Sequence, residues 1–269
     1  MLRAENGRAR ESIFTRRKRT YTLILLGVIA FYVFACTITE FSAVDGLAAI
    51  PRAFVWIAKN LVPDAKALHR FPNILNKLLE TTLLSISVTV TAAVCAFFFS
   101  LLGSKTTKIN GAVSRAVRMV AAFFRNVPDV VWAMLLLFSF GQNILTGFFA
   151  LFFSTFGMLT RTFIETIDEV SASCTEALYA TGATYMQTVF QGIIPSALSE
   201  IVTWVLFMIE TNIRSSTLIG MLTATGIGYL FDLYYKRLDY GSASLVVLCI
   251  VATVILIETL SSRIRKVIL

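Results

Sequence analysis

Thr81-Thr82-Leu83-Leu84-Ser85-Ile86-Ser87-Val88-Thr89-Val90-Thr91-Ala92-Ala93-Val94-Cys95-Ala96-Phe97-Phe98-Phe99-Ser100-Leu101-Leu102-Gly103-Ser104 is a run of 24 residues without a charge. As a helix it extends about 36 Å at 1.5 Å per residue, enough to cross the ~30 Å hydrocarbon core of a bilayer. The rest of the chain agrees with this reading. Of 269 residues 57% are hydrophobic and 15% charged, and the mean hydropathy is +0.76. Soluble domains carry about 25% charged residues, so this much apolar surface has to face lipid. The composition excludes an ordinary cytoplasmic enzyme, a disordered chain and a secreted disulfide scaffold.

Working outward from that run, further spans follow. Tyr21–Thr39 is charge-free and comes after Arg16, Arg17, Lys18 and Arg19. It lacks an A-x-A-like cleavage site and is long for a signal peptide core, so it reads as a retained first span. Val130–Thr160 is charge-free for 31 residues, too long for one crossing. The turn formers Gly141-Gln142-Asn143 divide it in two, and its first half extends back past Pro128, where Arg125 and Asp129 have pairing spacing. Ile201–Met221 is apolar apart from Glu210 and Arg214, and Tyr240–Ile257 is charge-free. The expectation is an all-α, polytopic membrane protein with six transmembrane helices.

Charge fixes an orientation. With the N-terminus inside, the inner segments hold 16 Lys and Arg and the outer ones 7, as expected when basic loops stay in the cytoplasm. The chain then divides into a basic cytoplasmic N-terminus (1–20), a first span (21–39), an outer loop (40–80), a core (81–262) and a basic cytoplasmic tail (263–269). Within the outer loop Phe54, Ile57 and Leu61 fall at helical spacing, with Arg52 and Lys59 between them, which suggests a short amphipathic helix on the outer membrane face. The same asymmetry accounts for the net charge of +8. The 22 Phe lie mostly inside apolar runs rather than beside a basic face, so nucleic acid is rejected as a partner.

No catalytic constellation stands out. Cys36, Cys95, Cys174 and Cys249 have no C-x-x-C spacing and read as small buried hydrophobes. His69, the single histidine, sits in a polar loop without clustered partners. No catalytic residue, metal ligand or cofactor is assigned, and enzyme activity is not expected. If energy drives this protein, another chain supplies it.

The inner loop 161–198 carries the most information. It is acidic, with Glu165, Asp168, Glu169 and Glu176 against Arg161, which favours docking to protein over lipid headgroups. A helix through Glu176-Ala177-Leu178-Tyr179-Ala180-Thr181 is expected to stop at Gly182. A second begins near Thr184, and Pro195 should keep it from running unbroken into the next span. The product is an elbow of two short helices. Glu176-Ala177, Gly182 and Pro195 resemble the "EAA" loop of ABC-importer permeases, with Leu178 in place of the second Ala, Gly192 in place of an Ile and Ile194 in place of a Leu. The segment Ile209-Glu210-Thr211-Asn212-Ile213-Arg214-Ser215-Ser216-Thr217 followed by Thr225-Gly226-Ile227-Gly228 resembles the phosphonate permease subfamily, with Thr225 replacing one glycine of its turn. The likeness extends over roughly residues 80–262 and is most specific at 176–228.

That resemblance implies an ABC type I importer permease-like fold in a bacterial plasma (inner) membrane, with both termini cytoplasmic. It implies a homodimer with a second permease copy, bound to ABC ATPase subunits and fed by an extracytoplasmic substrate-binding protein. Glu176, Ala177, Gly182 and Pro195 would couple to the ATPase. Glu210 and Arg214 are one helical turn apart within a span, where a charge costs about 2.5–3.5 kcal/mol, so they should face protein or water. Arg214, aided by Asn212 and Ser215, would line a path for phosphonate or a related phosphorus oxyanion; a self-neutralising pair that fixes packing is the other reading. A permease for phosphate, an amino acid or a metal, or a secondary transporter, are the alternatives.

Overall fold

The computed structural model describes residues 2–268, with side chains described at 15–171, 177, 178 and 180–266. Among these residues every regular element is a helix. The chain forms two units, 1–59 and 60–269. In the first, α1 (Leu2–Ile38) contains the first span, and α2 (Ala43–Asn60) follows a turn at Glu40. Phe54 and Ile57 lie on α2, which buries none of its residues and carries Pro51 inside; Leu61 falls just beyond its end.

The second unit comprises α3 (Ala65–His69), α4 (Phe71–Gly103), α5 (Gly111–Asn126), α6 (Asp129–Phe140), α7 (Ile144–Ala180), α8 (Tyr185–Gln187), α9 (Ile194–Thr223), α10 (Gly226–Lys236) and α11 (Tyr240–Ile268). Among the described residues five helices are long and apolar enough to cross a membrane, six if the bent pair α5 and α6 counts as one span. The structure differs from the sequence expectations at several points. The core span starts at Phe71 rather than Thr81: Pro72 suits a helix's first turn, and the Lys77–Glu80 pair (2.5 Å) holds the charged turn the charge-free criterion left out. The third span is no straight rod, because α5 and α6 meet at 88° across Val127 and Pro128. The extended backbone of Val127 (ψ 118°) separates Arg125 from Asp129, so the expected pair does not form. Finally, His69 ends the short helix α3, and Cys36, Cys95 and Cys249 are free and half-buried rather than buried; the Cys174 side chain lies outside the described residues.

Side-chain ties define the two ends of this bundle. At one end Ser104 and Arg118 meet Asp168, and Tyr185 meets Thr107. The C-terminus of α4, the start of α5, the end of α7 and α8 therefore lie together. At the opposite end Arg70 pairs with Asp239, and Thr81 Oγ1 accepts from the Ile227 N–H (2.8 Å). So α4 and α7 run parallel, and α5–α6 must cross once between them. The fold is a set of alternating crossings, with α9 returning from the first end and α11 coming back.

Packing follows the apolar faces. α4, α7 and α9 share a core of Ala92, Ala96, Phe156, Leu159, Phe163, Ile201 and Met208. A phenylalanine stripe on α7, Phe148, Phe152 and Phe156 at i,i+4 spacing, stacks along its own length. The neighbouring Phe153 packs on Phe124 (5.0 Å) and Trp132 (4.9 Å), which fixes the α5–α6 bend against α7. Gly157 makes this approach possible: a Cβ there would lie 2.5 Å from the Arg125 backbone N.

Candidate functional site

The elbow after α7 forms as its sequence dictates. Gly182 has φ +81°, a left-handed backbone for which glycine has no steric penalty, and the space around it is open. The Ala183 N–H returns to the Leu178 carbonyl (3.1 Å), closing the end of α7. Thr184 then starts the next helix with a reciprocal capping box, its hydroxyl taking the Gln187 N–H while Gln187 Oε1 takes the Thr184 N–H (2.9 Å). Ala177 and Pro195 are exposed, and Tyr185, Met186 and Phe190 present apolar surface beside the turn. The Glu176 side chain lies outside the described residues.

The two arms differ from the expectation. The first is the end of the 37-residue α7, not a short helix. The second does run on into the next span despite Pro195. A proline cannot donate to the carbonyl four residues back, and its ring crowds that carbonyl. Here a π-helical turn over Thr188–Ile193 widens the helix just before it, with the Ile194 N–H bonding to Val189 O, five residues back. Ser196 Oγ donates to the Gly192 carbonyl (2.8 Å). The local rule for proline was sound, and the chain met it by changing helix type.

Within the spans, Glu210 and Arg214 pair across one turn of α9 (Nη2–Oε1 3.1 Å). The pair is lopsided: Glu210 is 9% exposed, whereas the Arg214 side chain is 52% exposed. A second cation missed by sequence reasoning, Arg265 at the end of α11, lies 4.0 Å from the other oxygen of Glu210. Two guanidiniums around one carboxylate leave the cluster with a net positive charge, and its accessible member is Arg214. Nothing local in the sequence links positions 210 and 265, which are 55 residues apart.

Asn212 is placed differently from Arg214. It is buried, and its Nδ2 donates to Thr89 Oγ1 (2.8 Å) and Thr155 Oγ1 (2.9 Å). Ser85 Oγ reaches the Asn212 carbonyl (3.3 Å) and Ser216 Oγ (2.9 Å). The amide is thus committed to a knot joining α4, α7 and α9, and Ser215 beside it is half-buried. Thr81, Ser85 and Thr89 recur every four residues on one buried stripe of α4, a polar periodicity that could have been read from the sequence. The glycine turn lies at the end of that stripe. Gly226 (φ +60°) sits so close to Thr81 that a Cβ would come within 2.3 Å of its hydroxyl. Thr225 is extended (φ −129°), a conformation open to any residue, so the missing glycine changes nothing in the turn.

The profile of the family described as "Binding-protein-dependent transport system inner membrane component" matches residues 96–268. The phosphate-import permease protein PhnE of Mycolicibacterium smegmatis is 29% identical over 191 residues, covering 71% of this chain. The chain spans only 36% of the length of that relative. The putative phosphite transport system permease protein HtxC of Stutzerimonas stutzeri is 27% identical over 256 residues, 94% of this chain and 89% of its own. Among solved structures, the inward-facing MetNI methionine ABC transporter superposes with a TM-score of 0.64 at 19% identity, over 77% of this chain and 99% of that one. At that identity the likeness speaks for the fold.

Proposed function

This chain belongs to the family of binding-protein-dependent transport system inner membrane components, and on that footing we propose that it is the membrane-spanning subunit of an ABC importer for phosphonate or a related phosphorus oxyanion. The family is one of multi-pass transport components, and its fold implies ATPase and substrate-binding partners. In the proposed arrangement a second copy of the chain completes the pathway, and both termini lie in the cytoplasm. The elbow at Gly182, with Glu176, Ala177 and Pro195, meets the ATPase subunit. Movement of that subunit on ATP binding is delivered to the spans through α7 and α9.

The observation that carries the substrate class is Arg214, a half-exposed cation on a span, held by a buried carboxylate. A guanidinium forks onto two oxygens of a phosphorus oxyanion, and such charge-assisted bonds are the strong ones. Glu210 fixes its direction, Ser215 lies next to it, and Asn212 holds α9 in place against α4 and α7. The relatives named for phosphate and phosphite import support the same class.

The test is uptake by proteoliposomes containing the chain, its ATPase subunit and its binding protein, with phosphate, phosphite and methylphosphonate offered separately. Arg214→Ala should abolish uptake of the anion the wild type imports, while ATPase association stays unchanged. Arg214→Lys, which keeps the charge but loses the fork, should retain only a fraction. Full transport by Arg214→Ala would leave the Glu210–Arg214 pair a packing role. For the elbow, Gly182→Trp should weaken ATPase association and leave membrane insertion intact; undiminished association would remove the elbow from the contact.

A further inference from the structure

One polar cluster in the bundle has no part in the pathway just described. It surrounds Ser104–Thr107, the first four residues of the link between α4 and α5. Asp168 of α7 accepts at Oδ1 from Ser104 Oγ (2.6 Å) and from the Lys105 N–H (2.7 Å), and at Oδ2 from Arg118 Nη2 of α5 (2.9 Å). Arg118 Nε and Ser114 Oγ both donate to the Gly103 carbonyl (2.9 and 2.8 Å), satisfying an acceptor that the end of α4 leaves open. One turn beyond Asp168, Ser171 Oγ donates to Thr106 Oγ1 (2.9 Å). From the other side of the elbow, the Tyr185 hydroxyl donates to the Thr107 carbonyl (2.5 Å).

The link is therefore gripped by both arms of the elbow, Asp168 and Ser171 before Gly182 and Tyr185 after it. The connection at the opposite end behaves otherwise. There the turn 141–143 is closed chiefly from within, by Asn143 Nδ2 to Phe140 O (2.6 Å) and Thr146 Oγ1 to Gly141 O (2.7 Å). The 104–107 segment has such local ties too, the Thr106 N–H donating to Ser104 Oγ (3.2 Å) and Thr107 Oγ1 to the Leu101 carbonyl (2.6 Å), and the long-range grip from α5, α7 and α8 comes in addition to them. Displacing the elbow must carry the link with it. The link pulls on α4, whose Thr81–Ser85–Thr89 stripe holds α9 and α10, and on α5, which turns by 88° into α6.

We propose that Asp168 and Tyr185 are positioning residues that lock the 104–107 link to the elbow, so that elbow movement is passed to α4 and α5 as well as along α7 and α9. This rests on the elbow's being the ATPase contact. Without the lock the ATPase still docks, but its stroke reaches only the helices continuous with the elbow, and hydrolysis proceeds with little transport.

The experiment uses the complete complex in proteoliposomes, with whichever of phosphate, phosphite and methylphosphonate the wild type imports. Asp168→Asn removes the charge that Arg118 faces; Tyr185→Phe removes one hydroxyl and nothing else. ATP hydrolysed per anion imported should rise about fivefold or more in Asp168→Asn, the lower end of ordinary coupling between sites, and by a smaller factor in Tyr185→Phe. Asp168→Glu should recover part of the loss. ATPase association should match the wild type throughout. A purely structural role would lower yield or melting temperature and leave the ATP-to-anion ratio alone, so an unchanged ratio in both variants overturns the proposal. If the wild type itself neither binds an ATPase nor imports an anion, the transport reading fails first and the lock falls with it.

Discussion

Ala224 ends α9 in the left-handed region, φ 56° and ψ 39°, with its N–H bonded to Gly220 O. That conformation costs a residue with a Cβ about 1–2 kcal/mol, and glycine is the usual occupant of such a position. Thr225 and Gly226 beyond it have the opposite allocation, since Thr225 is extended while Gly226 is both left-handed and pressed against Thr81. The resemblance directed attention to the missing glycine at 225, but the strain lies one residue earlier. Ala224→Gly should relieve it, offset in part by the greater freedom of glycine in the unfolded chain, for a net gain of about 0.5–1 kcal/mol. In thermal unfolding of detergent-solubilised protein the midpoint should rise by a degree or more. A lower midpoint would show that the neighbouring helices already hold Ala224 without strain.

At the scale of elements, the ends of helices are set by polar clamps more than by propensity. Arg70, at the junction of α3 and α4, pairs with Asp239 and donates to Ser242 Oγ (2.9 Å), while its guanidinium lies 4.9 Å from the centre of the Tyr234 ring. Partial burial pushes the Asp239 carboxyl up, but the Ser242 N–H, the Arg70 guanidinium and the Ser242 hydroxyl together outweigh it and hold the group below its ordinary value. A carboxyl lowered in the folded state contributes stability above its unfolded value, near 3.9, and loses it as pH falls through the folded one. The clamp should therefore be at full strength at pH 7 and fade in acid. Asp239→Asn should lower the melting temperature at pH 7, and the gap to wild type should narrow as pH falls below about 4. A gap that persists unchanged at pH 3 would mean that shape, not charge, holds this end. Such clamps also mark the limit of what the sequence made legible. Charge-free runs identify the spans because lipid imposes the same demand on every residue of a run. The Glu210–Arg214 pair and the Gly182 turn are legible because their partners are five residues or fewer away. Asp168 with Ser104, Thr81 with Ile227 and Glu210 with Arg265 are separated by 64, 146 and 55 positions, and no local rule joins them. Pro195 shows a related limit: the rule describes an α-helix, and the chain forms a π-helical turn over Thr188–Ile193 just before it.

At the scale of the whole molecule, the order of crossings depends on α5 and α6 counting as one. α6 has 12 residues, about 18 Å of helix, which is too short to cross ~30 Å of hydrocarbon by itself. α5 meets it at nearly a right angle and is amphipathic, with Arg115, Arg118 and Arg125 along 16 residues. This suits a helix that lies at the interface before the chain descends. The alternative, a re-entrant pair that returns to its own side, conflicts with the ties already described. It would put residues 104–107 and the elbow on opposite faces, whereas Asp168, Ser171 and Tyr185 hold them together. Substituted cysteines decide between the two in membranes, once Cys36, Cys95, Cys174 and Cys249 have been replaced. A thiol at Lys105 and one at Gly182 should both react with an impermeant maleimide in inside-out vesicles and stay protected in intact cells. A thiol at Gln142, in the turn between α6 and α7, should show the reverse. Labelling of Lys105 and Gln142 from one side, with Gly182 reacting only from the other, would make the pair re-entrant, reverse the direction of α7 and place the elbow where no ATPase can reach it.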